Sequence, residues 1–306
     1  MAGKREIPDV LGVSCGKIFY DEPMSHHTSL GVGGNADALV VIESEDQLAR
    51  IVRKLKKAKI NYLPAGNLTN IIVRDGGYRG AILLMSGLKE INYQQMPDGS
   101  HFIFAQAGAA LTRVVGLSAA HELTGLEFCA GIPGSIGGAV WMNAGAFGKE
   151  IKDVVTEVSV LDVHGQKIIM KREDILFSYR RTDLPAETII LNARLKLAKG
   201  KSEQIKEKIR EIMQTRQERH PLMYPSAGSV FKNLPGMPAG LIIEEIGLKG
   251  KHCGDAEISS RHANFIVNKG KATAAEVLEL ICLIQDKAKE EKGINLETEV
   301  IVIGEN

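Results

Sequence analysis

The stretch AGIPGSIGGAVWMNAGAFG, residues 130–148, most constrains how this chain can fold, because six of its nineteen residues are glycine and none is charged. Pro133 and Gly134 break the chain, and from Gly137 to Asn143 the spacing of small residues is that of a short helix. Glycine lets backbone N–H groups approach a ligand closely, and a helix N-terminus attracts phosphate. From the residues alone, a glycine-rich turn in tight helix packing explains the pattern equally well.

A second loop of similar composition, PAGNLTNIIVRDGG (residues 64–77), follows an apolar strand. Two such loops in one β-rich region predict a large bound cofactor with a pyrophosphate, gripped by backbone donors and small polar groups. A third glycine segment, GVGGNA (residues 31–36), fits GxGxxA but opens a strand instead of a helix. We interpret it as a tight turn, because a dinucleotide fingerprint must lead into a helix. No GxxxxGK[ST] motif is present.

Composition excludes several classes of protein. A length of 306 residues predicts two or three domains, and a net charge of +1 indicates neither a nucleic-acid partner nor a membrane partner. The four cysteines are far apart with no CxxC pair, so we expect reduced thiols and no metal site; they are Cys15, Cys129, Cys253 and Cys282. The N-terminal residues carry no apolar signal region, and we expect a cytoplasmic chain.

Hydrophobic patterns predict an α+β chain. The segment 38–66 contains a strand, a helix capped by Ser44 with Gln47 in a capping box, and a second strand. A second capping box, Thr273 with Glu276, opens a long helix near the C-terminus. The predicted organisation comprises a peripheral extension (1–25), a β-rich domain (26–200), a connector helix (201–222) and a C-terminal α+β domain (223–306). The connector shows an apolar stripe of Ile205, Ile209, Ile212 and Met213.

Five segments, in this order along the chain, together resemble the UDP-N-acetylenolpyruvoylglucosamine reductase family: HTSLGVGGNAD, AGIPGSIGGAVWMNAGAFG, YRR, SAGSVFKN and LETEV. The resemblance implies a two-lobed FAD-binding domain of the vanillyl-alcohol-oxidase-like (PCMH-type) class, with lobes of about 26–88 and 89–200. It also implies a C-terminal substrate-binding domain. The implied reaction is the FAD-dependent, NADPH-driven reduction of UDP-N-acetylglucosamine-enolpyruvate in peptidoglycan precursor synthesis, and we expect a monomer.

The resemblance places FAD against the two glycine-containing loops. The expected contacts are Gly66, Asn67, Leu68, Thr69, Asn70, Gly131, Pro133, Gly134, Ser135, Gly137, Gly138, Asn143, Ala144 and Gly145. Leu68 stands where the family pattern has glycine, and Thr69 where it has serine. The first loop contains no histidine for a covalent flavin link, so non-covalent FAD is expected.

Three residues match the family's catalytic positions. Ser229 would protonate the developing enol, although a turn serine bonded to its own backbone is the simpler interpretation of SAGSVFKN without the resemblance. Arg180 would hold the enolpyruvyl carboxylate, and the adjacent Arg181 would point the other way on a strand. Glu299 shares a strand face with isoleucines, which predicts a partly buried or paired carboxylate that stabilises the enol or relays a proton.

Tyr179, Lys232 and Asn233 are the expected substrate contacts. Only about fifty residues separate Arg180 from Ser229, which is typical of the shorter class (type II) that lacks a substrate lid. His27 is expected to frame the HTSLGVGG turn, and His262 to be structural. Two other functions remain open at this point: an FAD-dependent sugar or alcohol oxidase, and a flavoprotein that only binds a nucleotide sugar.

Overall fold

The computed structural model describes residues 7–12 and 16–306, so Cys15 and the first six residues lie outside the described part of the chain. The helices are α1 (Ile7–Leu11), α2 (Glu45–Lys57), α3 (Leu111–Ala120), α4 (Ile136–Trp141), α5 (Ser202–Arg219), α6 (Ala239–Glu245) and α7 (Ala274–Lys292). The strands are β1 (Ile18–Pro23), β2 (Asn35–Val41), β3 (Tyr62–Ala65), β4 (Ile71–Val73), β5 (Tyr78–Leu84), β6 (Ile91–Gln95), β7 (His101–Gln106), β8 (Leu123–Thr124), β9 (Gly145–Ala146), β10 (Lys149–Glu150), β11 (Val155–Leu161), β12 (Lys167–Lys171), β13 (Leu176–Ser178), β14 (Arg181–Asp183), β15 (Ile189–Lys199), β16 (Ser226–Ser229), β17 (His252–Cys253), β18 (Ala256–Ile258), β19 (Phe265–Asn268) and β20 (Ile301–Ile303).

Contacts between Cα atoms divide the chain into two compact units, neither of which is continuous in sequence. Unit 1 comprises the described residues up to Phe19, then Ala38–Asn67 and Gly80–Thr215. Unit 2 comprises Tyr20–Asp37, Leu68–Arg79 and Arg216–Asn306. Each unit has its own hydrophobic core.

The predicted β-α-β segment of unit 1 is confirmed. The Ser44 hydroxyl accepts a hydrogen bond from the Gln47 N–H and begins α2, whose apolar face is buried. The Gln47 side chain accepts from the Glu43 N–H instead of the Ser44 N–H, so the capping box is only half formed. Strand β3 then pairs in parallel with β5, in the register Tyr62 to Ala81.

A six-stranded sheet forms the larger part of unit 1, with the path β12-β11-β15-β7-β6 and β8 paired to one end of β15. The pairs along this path are antiparallel. Strand β15 is buried over most of its length because it lies in the middle, whereas β12 is an exposed edge. Helix α4, which comes from the glycine stretch, is close to β15 and β7, so the core of this sheet supports the stretch.

Unit 2 is built on an antiparallel sheet in the order β16-β19-β18-β17. Helix α7 packs on it and begins with the complete capping box of Thr273 and Glu276 that the sequence predicts. Strand β20 pairs in parallel with β4, in the register Ile301 to Ile71. The short segment around β4 therefore shares a core with residues more than two hundred positions later.

The structure differs from the sequence expectations in three places. Of the segment expected to be peripheral, Ile7 and Leu11 are instead buried in the core of unit 1, and β1 is part of a sheet. Met213 on α5 is 45% exposed, so the apolar stripe is shorter than the spacing predicts. The C-terminal strand is confined to β20, and Glu299 precedes it. Within the described residues, helices long and apolar enough to cross a membrane are absent.

Candidate functional site

Ser229 is the last residue of strand β16. Strand β16 pairs with β19 through Ser226 to Val267 and Ser229 to Phe265, with an irregularity between these two pairs. Gly228 lies inside the irregularity at φ +78°, in the left-handed region that suits glycine. The half-buried Ser229 thus occupies the end of a locally distorted strand, where a distortion re-aims a side chain.

The structure brings Glu299 directly beside this strand end. The Glu299 N–H donates to the Val230 carbonyl at 2.7 Å, and Phe231 and Thr298 form an antiparallel bridge. Glu299 is half buried, as the alternation in the sequence suggests. Two of the three expected catalytic residues, Ser229 and Glu299, therefore lie on neighbouring backbone segments of one compact unit.

The first glycine-containing loop contributes to the same region of unit 2. The Asn70 side-chain amide donates to the Glu299 carbonyl at 3.0 Å, and the Ile301 N–H donates to the Asn70 carbonyl at 2.9 Å. The Ser29 hydroxyl donates to the Thr69 carbonyl at 3.3 Å. Asn70 is thereby fixed against the backbone of Glu299, a contact that no spacing in the sequence reveals.

Leu68, which stands where the family pattern has glycine, adopts a left-handed backbone conformation that favours glycine. Its φ is +53°, and its side chain is only 3% exposed. The loop therefore has a left-handed turn although a leucine occupies this position. Burial of the leucine side chain offsets the free-energy cost of the left-handed backbone.

The expected substrate contacts Lys232 and Asn233 both have protein partners. The Lys232 ammonium lies 3.1 Å from the Glu297 carboxylate, and its backbone N–H donates to the Glu297 carbonyl. The Asn233 carbonyl oxygen, Oδ1, accepts from the Ala239 N–H at the start of α6. Both side chains follow Ser229 closely, but they also hold loops of unit 2 in place.

Arg180 is presented by a tight hairpin of unit 1. Strands β13 and β14 pair through Ser178 and Arg181, which leaves Tyr179 and Arg180 at the turn. Arg180 lies at φ +55°, its guanidinium stacks 4.8 Å from the Tyr179 ring centre, and Nη2 donates to the Gly145 carbonyl at 3.0 Å. Arg181 is exposed and pairs with Asp183 at 2.6 Å. The two arginines differ in direction because Arg180 lies in the turn and Arg181 begins β14, not because they alternate along one strand.

The long glycine stretch packs against the first loop within unit 1. A Cβ added to Gly66 would lie 2.3 Å from the Ser135 hydroxyl, so the two loops meet at a distance that only glycine allows. Ser135 caps α4 by accepting from the Gly138 N–H at 3.4 Å. The Gly137 N–H already donates to the Ala107 carbonyl, which makes part of the stretch a packing element. A Cβ added to Gly138 would lie 3.7 Å from the Ser135 hydroxyl, an ordinary van der Waals distance.

Asn143 joins this stretch to the hairpin that carries Arg180. The side chain is fully buried and lies at φ +42°. Its amide group donates to the Ser178 carbonyl at 2.9 Å and to the Glu150 carboxylate at 3.0 Å, while Oδ1 accepts from the Lys152 N–H. The Thr182 hydroxyl adds a bond to the Val140 carbonyl at 2.5 Å. The sequence marks Asn143 as polar but does not reveal this joining role.

The two histidines discussed from the sequence have structural surroundings. His27 lies 2.7 Å from the Glu22 carboxylate beside the GVGG turn. His262 precedes β19, and its ring packs against those of His220 and Phe265. Burial lowers the pKa of His262, and burial together with Arg216 lowers the pKa of His220 to about 4. Both rings are therefore neutral at pH 7.

Comparison with known proteins identifies the family. A family model for the UDP-N-acetylenolpyruvoylglucosamine reductase C-terminal domain matches residues 220–303, and one for an FAD binding domain matches residues 36–170. The UDP-N-acetylenolpyruvoylglucosamine reductase of Syntrophus aciditrophicus is 48% identical over 95% of this chain and 93% of its own length. That of Caldanaerobacter subterraneus is 44% identical over 95% of each chain.

A solved structure agrees with these matches. The crystal structure of UDP-N-acetylenolpyruvylglucosamine reductase from Thermus caldophilus has a TM-score of 0.79 and 34% sequence identity, covering 94% of this chain and 98% of that one. The expected organisation, an FAD-binding domain followed by the C-terminal domain of this family in a chain of mixed helices and strands, is confirmed. The chain belongs to the UDP-N-acetylenolpyruvoylglucosamine reductase family of FAD-dependent oxidoreductases.

Proposed function

We propose that this chain reduces the enolpyruvyl double bond of UDP-N-acetylglucosamine-enolpyruvate to give UDP-N-acetylmuramate for peptidoglycan synthesis, with NADPH as the electron donor. The observation that carries the proposal is the 2.7 Å bond from the Glu299 N–H to the Val230 carbonyl. This bond places a carboxylate residue beside the strand end that bears the Ser229 hydroxyl. The names of the relatives support the substrate assigned here.

The two glycine-containing loops have the small residues that a flavin dinucleotide needs. Gly66 lies so close to the Ser135 hydroxyl that a side chain at position 66 would clash with it, and Gly138 is exposed. FAD, when bound there, supplies the hydride for the reduction after accepting electrons from NADPH. We assign its binding to the two loops, namely Gly66, Asn67, Leu68, Thr69 and Asn70 with Gly131, Pro133, Gly134, Ser135, Gly137, Gly138, Asn143, Ala144 and Gly145. The fully buried Asn143 side chain acts by shaping the loop, and the absence of histidine from residues 64–77 supports non-covalent binding.

The catalytic roles follow from what the substrate needs. When a hydride reaches one carbon of the double bond, electron density moves toward the carboxylate and the other carbon must be protonated. Ser229 donates that proton, and Glu299 relays a replacement proton and stabilises the enol. Arg180 pairs with the substrate carboxylate, where negative charge accumulates. Tyr179, Lys232 and Asn233 hold the remainder of the substrate.

Each unit prepares its own residues for these roles. In unit 1 the Gly145 carbonyl and the Tyr179 ring hold the Arg180 guanidinium, so little side-chain entropy is lost when it pairs with a carboxylate. In unit 2 the Asn70 amide fixes the backbone of Glu299. We propose that residues 26–200 serve the cofactor, 201–222 connect and 223–306 serve the substrate, with residues 20–37 and 68–79 belonging to the compact unit of the substrate residues.

The absorption spectrum of the purified protein under anaerobic conditions tests the proposal. We expect NADPH to bleach an oxidised flavin, and the enolpyruvyl nucleotide sugar to restore its colour. A sugar or alcohol oxidase would instead recover its colour with oxygen only, and a flavoprotein that merely binds nucleotide sugars would not be reoxidised by the substrate. A protein that cannot be reconstituted with FAD would disprove the flavin assignment.

The Ser229→Ala variant tests the assignment of the proton donor. We expect reoxidation by the substrate to slow by roughly 10²- to 10⁴-fold, because a general acid is lost, while flavin reduction by NADPH and substrate binding remain. Ser226→Ala is the matched control, since it removes a hydroxyl from the other end of the same strand. Reoxidation of Ser229→Ala at the wild-type rate would show that Ser229 is not the donor.

A further inference from the structure

Asn264 is a buried side chain of unit 2 that none of the roles above uses. It directly precedes β19 and is 3% exposed. Its side-chain Oδ1 accepts from the Phe231 N–H at 2.9 Å, and its Nδ2 donates to the Phe231 carbonyl at 2.8 Å. The side-chain amide therefore pairs with one residue as a peptide group of a neighbouring antiparallel strand would.

This pairing continues the sheet where the regular ladder stops. The last pair between β16 and β19 joins Ser229 to Phe265. One residue further, the Val230 N–H donates to the Asn264 backbone carbonyl at 2.8 Å, and the side chain of Asn264 then engages Phe231. Three hydrogen bonds from a single asparagine thus fix the two residues that follow Ser229.

The same two residues carry the contacts of Glu299. The Val230 carbonyl accepts from the Glu299 N–H, and Phe231 bridges to Thr298. Displacement of the 230–231 segment therefore moves Ser229 through the chain and Glu299 through its hydrogen bond. Phe231 is fully buried, so its N–H and carbonyl have no water to replace Asn264.

We infer that Asn264 is a positioning residue for the reaction, which holds the Ser229 hydroxyl and the Glu299 carboxylate in their relative places. The inference rests on the proposed function, since it concerns the delivery of the proton. An aliphatic side chain at this position would fill the space but leave both polar groups of Phe231 unpaired. The 229–231 segment would then shift to find other partners.

Anaerobic stopped-flow kinetics of Asn264→Ala tests the inference. We expect flavin reduction by NADPH at the wild-type rate, and reoxidation by UDP-N-acetylglucosamine-enolpyruvate slowed roughly tenfold to a hundredfold, because a proton donor displaced by about 1 Å loses this much rate. Asn264→Asp, which keeps the acceptor for the Phe231 N–H, is the second variant should the alanine protein not fold. It should show the same selective loss.

Asn268→Ala is the matched control. Asn268 lies on the same strand, is 5% exposed, and bonds to the Leu30 carbonyl and to the N–H groups of Gly270 and Ala272, away from Ser229. We expect it to lower the unfolding temperature without changing either half-reaction. In the Ser229→Ala background, Asn264→Ala should slow reoxidation much less than in the wild type, because the two residues act through one proton transfer.

Two kinetic outcomes would overturn the inference: wild-type reoxidation by the folded Asn264 variants, or equal slowing of both half-reactions. If the substrate fails to reoxidise the wild-type flavin, the proposed function is wrong, and crystal structures of the wild type and Asn264→Ala then decide the positional claim by themselves. A shift of Ser229 and Glu299 in the variant would support it. Unchanged positions would refute it.

Discussion

At the scale of single residues, Leu68 shows how this chain keeps a glycine-type turn without glycine. A left-handed backbone costs an ordinary residue roughly 1–2 kcal/mol, whereas a fully buried leucine side chain contributes about 1.5–3 kcal/mol. The second effect is the larger, so a leucine with 3% exposure is tolerated at φ +53°. The sequence shows the departure from the family pattern at this position but not the conformation that results.

At position 68 alanine should therefore destabilise the fold more than glycine does, which is the reverse of the usual order. Leu68→Ala loses the buried side chain and keeps the strain, so we expect a loss of about 2–4 kcal/mol in the free energy of unfolding. Leu68→Gly loses the same contacts but removes the strain, and should be less destabilised than Leu68→Ala by roughly 1 kcal/mol. Urea unfolding measures both values.

Ile72 provides the control for this comparison. It is fully buried in β4, four residues further along, with an ordinary strand backbone. Here glycine should be more destabilising than alanine, because there is no backbone strain for glycine to relieve. Glycine also raises the conformational entropy of the unfolded chain. If glycine were more destabilising than alanine at both positions, Leu68 would carry no backbone strain.

The paired histidines of unit 2 predict a dependence of stability on pH. Burial and Arg216 lower the pKa of His220 from an ordinary 6.5 to about 4 in the folded chain. As the pH falls below 6.5, the unfolded chain binds a proton that the folded chain does not bind, so the free energy of unfolding decreases between pH 6.5 and 4. Below this window the contribution is constant.

The His220→Gln variant isolates this contribution. Since the ring is only about half buried, solvent screening limits the effect, and we expect a difference of roughly 1–2 kcal/mol between wild type and variant in the change from pH 7 to pH 4. Urea titrations at several pH values measure it. Parallel pH curves for the two proteins would show that His220 does not bind fewer protons in the folded state.

Single residues of the candidate site could be predicted only where the motif itself carries the signal. Ser229 and Glu299 stand in segments that the sequence analysis singled out, and the structure brings their backbones together. Asn264 could not be found, because a side chain that imitates a peptide group leaves no spacing pattern. The same is true of Thr182, whose hydroxyl holds a hairpin through a carbonyl forty-two positions earlier.

At the scale of helices and strands, apolar patterns of period two and 3.6 predict that an element exists better than they predict the residues at which it begins and ends. The strands β2 and β3 and the helices α2, α5 and α7 are all present in the segments expected. The errors lie at ends and turns: β20 is short because residues 295–300 bond to loop and strand-end backbones instead of a continuous partner. Such partners are set by tertiary contacts, which local sequence does not encode.

The start of α7 combines a local cap with a distant one. The capping box of Thr273 and Glu276 can be recognised in the sequence, but the capping role of Asp75, some two hundred residues earlier, cannot. Its carboxylate accepts from the Ala274 N–H at 2.9 Å and the Ala275 N–H at 2.8 Å. A negative charge at a helix N-terminus is stabilising, and it ties the segment after β4 to this helix.

Asp75→Ala should lower the free energy of unfolding by roughly 1–2 kcal/mol, because two helix N–H groups lose their acceptor and the helix dipole its counter-charge. Chemical denaturation followed by far-ultraviolet circular dichroism measures the change. Asp286→Ala in the exposed middle of the same helix is the control, and should change stability by less than about 0.5 kcal/mol. Equal effects of the two substitutions would contradict the cap.

At the scale of the whole molecule, the chain passes repeatedly from one compact unit to the other. Unit 2 is assembled from residues 20–37, 68–79 and 216–306. Leu30, Val32 and Ile72 from the two short segments lie in its hydrophobic core. Composition and periodicity describe each of these segments as a loop or a strand, but they do not show which core it joins.

A fragment of residues 216–306 should therefore not fold by itself. Without β4 its last strand has no parallel partner, and without Leu30, Val32 and Ile72 its core is open on one side. We expect a non-cooperative thermal transition by circular dichroism and poor dispersion of amide proton signals. The full chain, measured in the same way, should unfold cooperatively, and a cooperative transition of the fragment would refute the expectation.

The pairing of β20 with β4 also determines when β4 can find its partner during synthesis of the chain. The ribosome produces Leu68, Thr69 and Asn70 early, yet Asn70 receives its bonds to Glu299 and Ile301 only after those residues, made more than two hundred positions later, have left the ribosome. Until then β4 has no strand partner in the nascent chain. We expect a chain cut before residue 299 to leave the first loop without the backbone that fixes it, and so to be open to cellular proteases.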